Sequence, residues 1–149
     1  MNDALALLSS MPTPDKVREL EAQLIYLPQV DLGTQHLIHG GIYARTVLIP
    51  ADTVITGALM AVDNVCVMCG DITVTTDAGT QRLTGFHVLP AIAGFKRVGV
   101  AHADTWWTTL IPTQLTNTHD IEDAATHEAS SLQSRRLELD AVSLRGLTQ

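Results

Sequence analysis

The chain has 149 residues, two cysteines and a formal net charge of −7. An acidic balance argues against nucleic acid, whose phosphates reward a basic face, and no apolar run approaches the roughly 20 residues that a bilayer-spanning helix needs. One domain, large enough to bury a core without a disulfide or structural metal, is the expectation. Two cysteines point to a reduced, cytoplasmic setting, and "MNDALALLSSM" is too short and lacks the basic start of a secretory signal. Aromatics make up only 4% of the chain, so Val, Ile, Leu and Thr must fill the interior, a bias that favours strands.

Three zones follow one another. Residues 1–30 are expected to be a helical segment. In "TPDKVRELEAQLIYLP" a Pro-Asp start precedes Val17, Leu20, Leu24 and Leu27 at helical spacing, and Pro28 ends the run. Residues 31–115 change to short stretches rich in Val, Ile and Thr. Gly40-Gly41, Pro50-Ala51-Asp52, Asp77-Ala78-Gly79 and Ala93-Gly94 punctuate them as turns. In "DITVTTDAG" Ile72 and Val74 alternate with Thr73 and Thr75, so the zone reads as an all-β sandwich or barrel. Residues 116–149 carry good helix formers and no Pro, and are expected to be a helical or partly ordered tail.

Cys66 and Cys69 spell C-x-x-C, but on a strand a spacing of three sends them to opposite faces. A zinc site needs four ligands and no second knuckle exists, so two small buried hydrophobes is the favoured reading. His36 and His39 have the same spacing and the same limitation. His87 and His102 fall in the strand zone, where a single His is more often hydrogen-bonded structure than a ligand.

Cations are scarce in the strand zone: Arg45, Arg82, Lys96 and Arg97. Arg82 follows a turn and belongs on the surface. Arg45, Lys96 and Arg97 sit in apolar stretches, where a charge must be paired or line a wet cavity. Either they form structural ion pairs with Asp63, Asp71 or Asp104, or they hold an anion. On a regular strand Arg97 would face inward with Phe95 and Gly99, or Lys96 would do so with Val98, but not both. Trp106 and Trp107 must point to opposite faces, one a cavity wall and the other an interface anchor.

The residues "YARTVLIPADTVITGAL", "GDITVTTDAGTQRL" and "AGFKRVGVAHADTWWTTLIPT" resemble the cupins, double-stranded β-helix barrels, and among them a small group from tailed bacteriophages and prophages. The likeness runs from Tyr43 to Thr113. It implies a cupin-like barrel with an N-terminal helix and a C-terminal helical segment. In the general first motif of the family, Gly70 matches the glycine, Asp63 falls on the acidic position, and the two histidines fall at Thr56 and Ala58. In the phage-type variant the histidine positions are Met60, Asn64 and Ile111. In the second motif Gly94 matches, and Arg97 stands in place of the histidine. The resemblance therefore implies a barrel without the family's metal cluster and without its Lewis-acid chemistry.

The expected function is a cofactor-free binding protein in the cytoplasm (the host's, if phage-encoded), with no catalytic residue assigned. Its barrel would hold a small anionic or polar molecule, a sequestered host signalling metabolite being one version. Arg45, Lys96, Arg97, Met60, Asn64, His87 and Trp107 are the candidate ligand-binding residues. A structural protein that forms a homo-oligomer, dimer or higher, is the second reading. A metalloenzyme with ligands rearranged to His87, His102 and Asp63 or Asp104 is the third.

Overall fold

The computed structural model describes residues 13–76, 78–135 and 141–143. Helix α1 (Pro14–Leu24) starts where Thr13 Oγ1 accepts from the Lys16 backbone N–H at 3.4 Å and Pro14 sits in the first turn. Its apolar stripe, Val17, Leu20 and Leu24, is buried, and Leu27 packs beyond its end. Seven strands follow: β1 (Gln35–His39), β2 (Ile42–Ile49), β3 (Thr53–Thr56), β4 (Asn64–Thr76), β5 (Gly79–Ala91), β6 (Val98–Ala101) and β7 (Thr105–Pro112). Helix α2 (Thr118–Ala125), capped by Asn117, and a short 3₁₀ turn at Ala129–Ser131 come next. The expected helical tail is thus only part of the story. A further strand, β8 (Ala141–Ser143), returns to pair antiparallel with β3.

The described strands form one curled antiparallel sheet in the order β1-β2-β7-β4-β6-β3-β8, with β5 also paired to β4. The all-β, cupin-like barrel with flanking helices is the architecture observed. Its curl depends on β4, which pairs along its length with β5 on one side. On the other side β4 pairs with β7 from Val65 to Cys69 and with β6 from Ile72 to Val74. Gly70 occupies the switch. Its φ is 151°, and a Cβ there would lie 2.4 Å from Thr105 Oγ1 and 2.6 Å from Thr105 Cα. Only glycine admits so close an approach of the neighbouring chain.

Three apolar clusters divide the interior. Ile49, Met68, Ile72, Val74, Leu83 and Ala101 fill the base of the barrel. Tyr43, Ile111, Ile121 and Ala125 join its other end to α2. Leu20, Leu24, Val54, Val98 and Val100 seat α1 on the outside of β3 and β6. Among the described residues no helix is long and apolar enough to cross a membrane.

Candidate functional site: the barrel cavity

The period of two along each strand and the register between strands decide what the barrel encloses. Tyr43, Arg45 and Val47 of β2 stand opposite Ile111, Thr109 and Trp107 of β7. Thr109 and Trp107 in turn stand opposite Cys66 and Met68 of β4. Arg45, Thr109 and Cys66 thus make a polar stripe on the inward face, flanked by the apolar row of Val47, Trp107 and Met68. Around it lies a cavity of about 190 Å³. Helix α2 and the segment after it supply the remaining wall, including Glu122, Thr126 and Gln133.

Five of the seven candidate residues line this space: Arg45, Arg97, Met60, Asn64 and Trp107. Arg97 is the inward member of its pair, with Phe95 and Gly99 beside it in the wall. Its guanidinium lies 5.3 Å from the Phe95 ring centre and 5.5 Å from that of Trp107, and Nη1 donates to Thr75 O at 2.8 Å. Cation–π contact with two rings fixes the group as part of the wall.

Lys96 lies elsewhere. Pointing the opposite way from Arg97, it is 2% exposed and sits beneath α1. Nζ meets Glu21 at 2.9 Å and Glu128 at 3.1 Å, and donates to Gly57 O at 2.8 Å. His87 is also outside the cavity wall: its Nε2 is 3.0 Å from Thr84 O on edge strand β5.

The partners of the cations differ from those expected. Arg45 Nη1 donates to Glu122 Oε2 at 2.9 Å and to Ser134 Oγ at 3.1 Å. Arg135 grips the other Glu122 oxygen at 2.9 Å. Of the three aspartates considered, Asp71 holds Arg82 instead, through two hydrogen bonds. Asp63 and Asp104 accept the backbone N–H groups of Ala93 and Ala51. Carboxylates from the helices reach the buried cations because they project across the barrel from outside the sheet. A strand-by-strand reading has no signal for that.

The two cysteines do face opposite ways, but only Cys66 is buried; Cys69 is exposed on the outer side of β4. Cys66 Sγ donates to Asn64 Oδ1 at 3.5 Å and lies 4.0 Å from Thr109 Oγ1. Burial pushes its thiol pKa up, against the pull of nearby Arg97. Burial likewise raises the Tyr43 phenol, whose hydroxyl is 2.6 Å from His36 Nδ1. Thr109, Cys66, Glu122 and Gln133 are wall residues that the sequence reading did not assign to the site. The Arg45 register could have found the first two once β2, β7 and β4 were aligned.

A divalent metal is what the resemblance to the cupins would imply, and the donor set does not fit one. The inward positions offer a neutral amide, a thioether, a hydroxyl and a thiol whose ionisation burial opposes, and both Glu122 oxygens are held by arginines. His87, His102, Asp63 and Asp104 do not converge either. Among the described residues one trio brings possible ligand atoms within 4.8 Å of each other, the exposed His119, Asp120 and Asp123 on α2.

The fold and cavity define a cupin-like barrel with a largely apolar interior. No family model matches the chain, and no curated protein matches it. Among solved structures it is similar to a cupin superfamily protein from Desulfitobacterium hafniense, at 11% identity and TM-score 0.46, over 58% of this chain and 81% of that one. An RmlC-like cupin from Shewanella frigidimarina gives 16% identity and TM-score 0.45, over 59% and 84%. The cupin domain of Schizosaccharomyces pombe Cnp3 gives 19% and 0.41, over 53% and 63%. Likenesses of this extent say nothing of activity.

Proposed function

We propose that the protein is a binding protein whose barrel takes up one small, neutral and mainly apolar molecule, with a single polar group of the guest meeting the stripe of Arg45, Thr109 and Cys66. The observation that carries this reading is the cavity of about 190 Å³, whose wall is mostly apolar although Asn64, Arg97, Glu122, Thr126 and Gln133 also reach it. An apolar protein cavity of about 150 Å³ admits benzene, so a guest of one or two rings is the right size.

An anionic guest is less well served. Arg45 is already held by Glu122, Arg97 donates to Thr75 O and lies against the Phe95 and Trp107 rings, and Lys96 is bound to Glu21 and Glu128 outside the cavity. A second anion at Arg45 would face the Glu122 carboxylate across the same guanidinium. If the protein sequesters a host metabolite, as the phage resemblance implies, that metabolite belongs to the neutral class.

Titration calorimetry with indole, phenol and benzoate tests the assignment. Indole and phenol should bind and raise the melting temperature, and Thr109→Phe, which fills the stripe, should remove both effects. Benzoate binding more tightly than either neutral probe, or no heat from any of the three, would overturn it.

A further inference from the structure

Among the described residues that line the cavity, Glu122 is the one carboxylate. It reaches the barrel from outside the sheet. Helix α2 packs Ile121 and Ala125 against Tyr43 and Ile111 of β2 and β7. Two residues further along those strands, Arg45 and Thr109 form the next inward row. Glu122 follows Ile121 on the helix, so the same packing delivers its carboxylate to the Arg45 guanidinium. The group is 4% exposed and held on both oxygens. Oε2 accepts from Arg45 Nη1 at 2.9 Å and from Ser134 Oγ at 2.6 Å, and Oε1 accepts from Arg135 Nε at 2.9 Å.

We infer that Glu122 selects the charge of the guest: from within the chain it fills the position at Arg45 that the carboxylate of an anionic guest would take. The assignment rests on the cavity reading above and gives that site its selector. Arginine offers five N–H donors in a planar fork that matches a carboxylate, and here Nη1 alone serves both Glu122 and Ser134. A shortage of donors is therefore not what turns an anion away. The carboxylate already present does so, because two like charges on one guanidinium, a few ångströms apart in a largely apolar site, repel strongly. A neutral polar group meets no such repulsion, and the Thr109 hydroxyl beside Arg45 serves either a donor or an acceptor.

The two arginines depend on Glu122 to different degrees. Arg135 also holds Asp123 Oδ1 at 2.6 Å and donates to the His119 carbonyl. Arg45 has no ion pair besides Glu122 among the described residues. Neutralising Glu122 thus leaves a cavity-lining cation that an anionic guest can pair with. Neutralising Arg45 leaves the Glu122 carboxylate at the cavity with Arg135, which it shares with Asp123, so a cationic guest gains instead.

Calorimetry with phenol, benzoate and benzylammonium, on the full chain and two neutral variants, tests this. In Glu122→Gln the ratio of benzoate to phenol affinity should rise at least about tenfold, and in Arg45→Gln the ratio of benzylammonium to phenol affinity should rise by a similar factor. A ratio is the deciding readout, because a merely structural loss of packing weakens all three guests together and leaves it unmoved. Should one variant fail to fold, the other decides alone. Phenol binding with both ratios unmoved overturns the role of Glu122 and leaves the cavity reading standing. No heat from any guest in any of the proteins overturns both, as does a wild type that already prefers benzoate.

Discussion

Two stretches of the same outer surface differ in what lies over them. Over β3 and β6 the chain folds back: α1 packs on Val54, Val98 and Val100, and Lys96 ties that layer to Glu21 and Glu128. Over β5, β4, β7 and β2 no helix among the described residues is packed, and Phe86 and Val88 stand 68% and 59% exposed. Both stretches are equally strand-like and apolar in sequence. The comparison teaches that an apolar outer row does not by itself say what lies over it; among the described residues α1 packs on one such row and no helix on the other.

The largest effect expected is on the covered side. Lys96→Met leaves Glu21 and Glu128 without their shared cation and Gly57 O without its donor, and should lower unfolding free energy by about 4 kcal/mol in urea titration. Gly70→Ala strikes the switch in β4 that both sides share. A methyl group 2.4 Å from Thr105 Oγ1 and 2.8 Å from Asp104 O cannot be relieved without moving backbone, and about 3 kcal/mol should be lost. Glu122→Gln weakens the hold on Arg45 and Arg135 at the cavity wall, and about 2 kcal/mol is expected.

A smaller, pH-dependent effect sharpens the account of the covered side. Burial alone would raise the Glu128 pKa, but the Leu59 N–H, Lys96 and Arg18 outweigh it and hold the group below its ordinary 4.5. Its contribution is therefore present above pH 4.5 and is lost as pH falls through the lower folded-state value. Glu128→Gln should flatten that acid limb of the stability curve. At the exposed Val88 the smallest change is expected: Val88→Lys should alter stability by no more than about 0.5 kcal/mol in the same urea titration. A large loss of stability there would erase the contrast between the two sides.

Much of the scaffold was legible in the residues. The α1 stripe, the Gly40-Gly41 hairpin with φ of 61° and 77°, and the opposed faces of Trp106 and Trp107 are all set by spacing between near neighbours. Part of the site was legible too, since Arg45, Met60, Asn64, Arg97 and Trp107 do meet at one cavity. His87 and Lys96 were not separable from them by pattern, because a strand pattern names two faces without saying which is inside.

By itself, the sequence determined the alternation, the turns and the short list of buried charges, because these depend on steric and hydrophobic preferences that act over a few residues. Only the tertiary structure decided that Arg97 looks inward and Lys96 outward, that β8 completes the edge of β3, and that Glu122 meets Arg45 from 77 positions away. Those outcomes follow from which elements pack together. A carboxylate on a helix finds its cation only once the barrel has closed the distance between them.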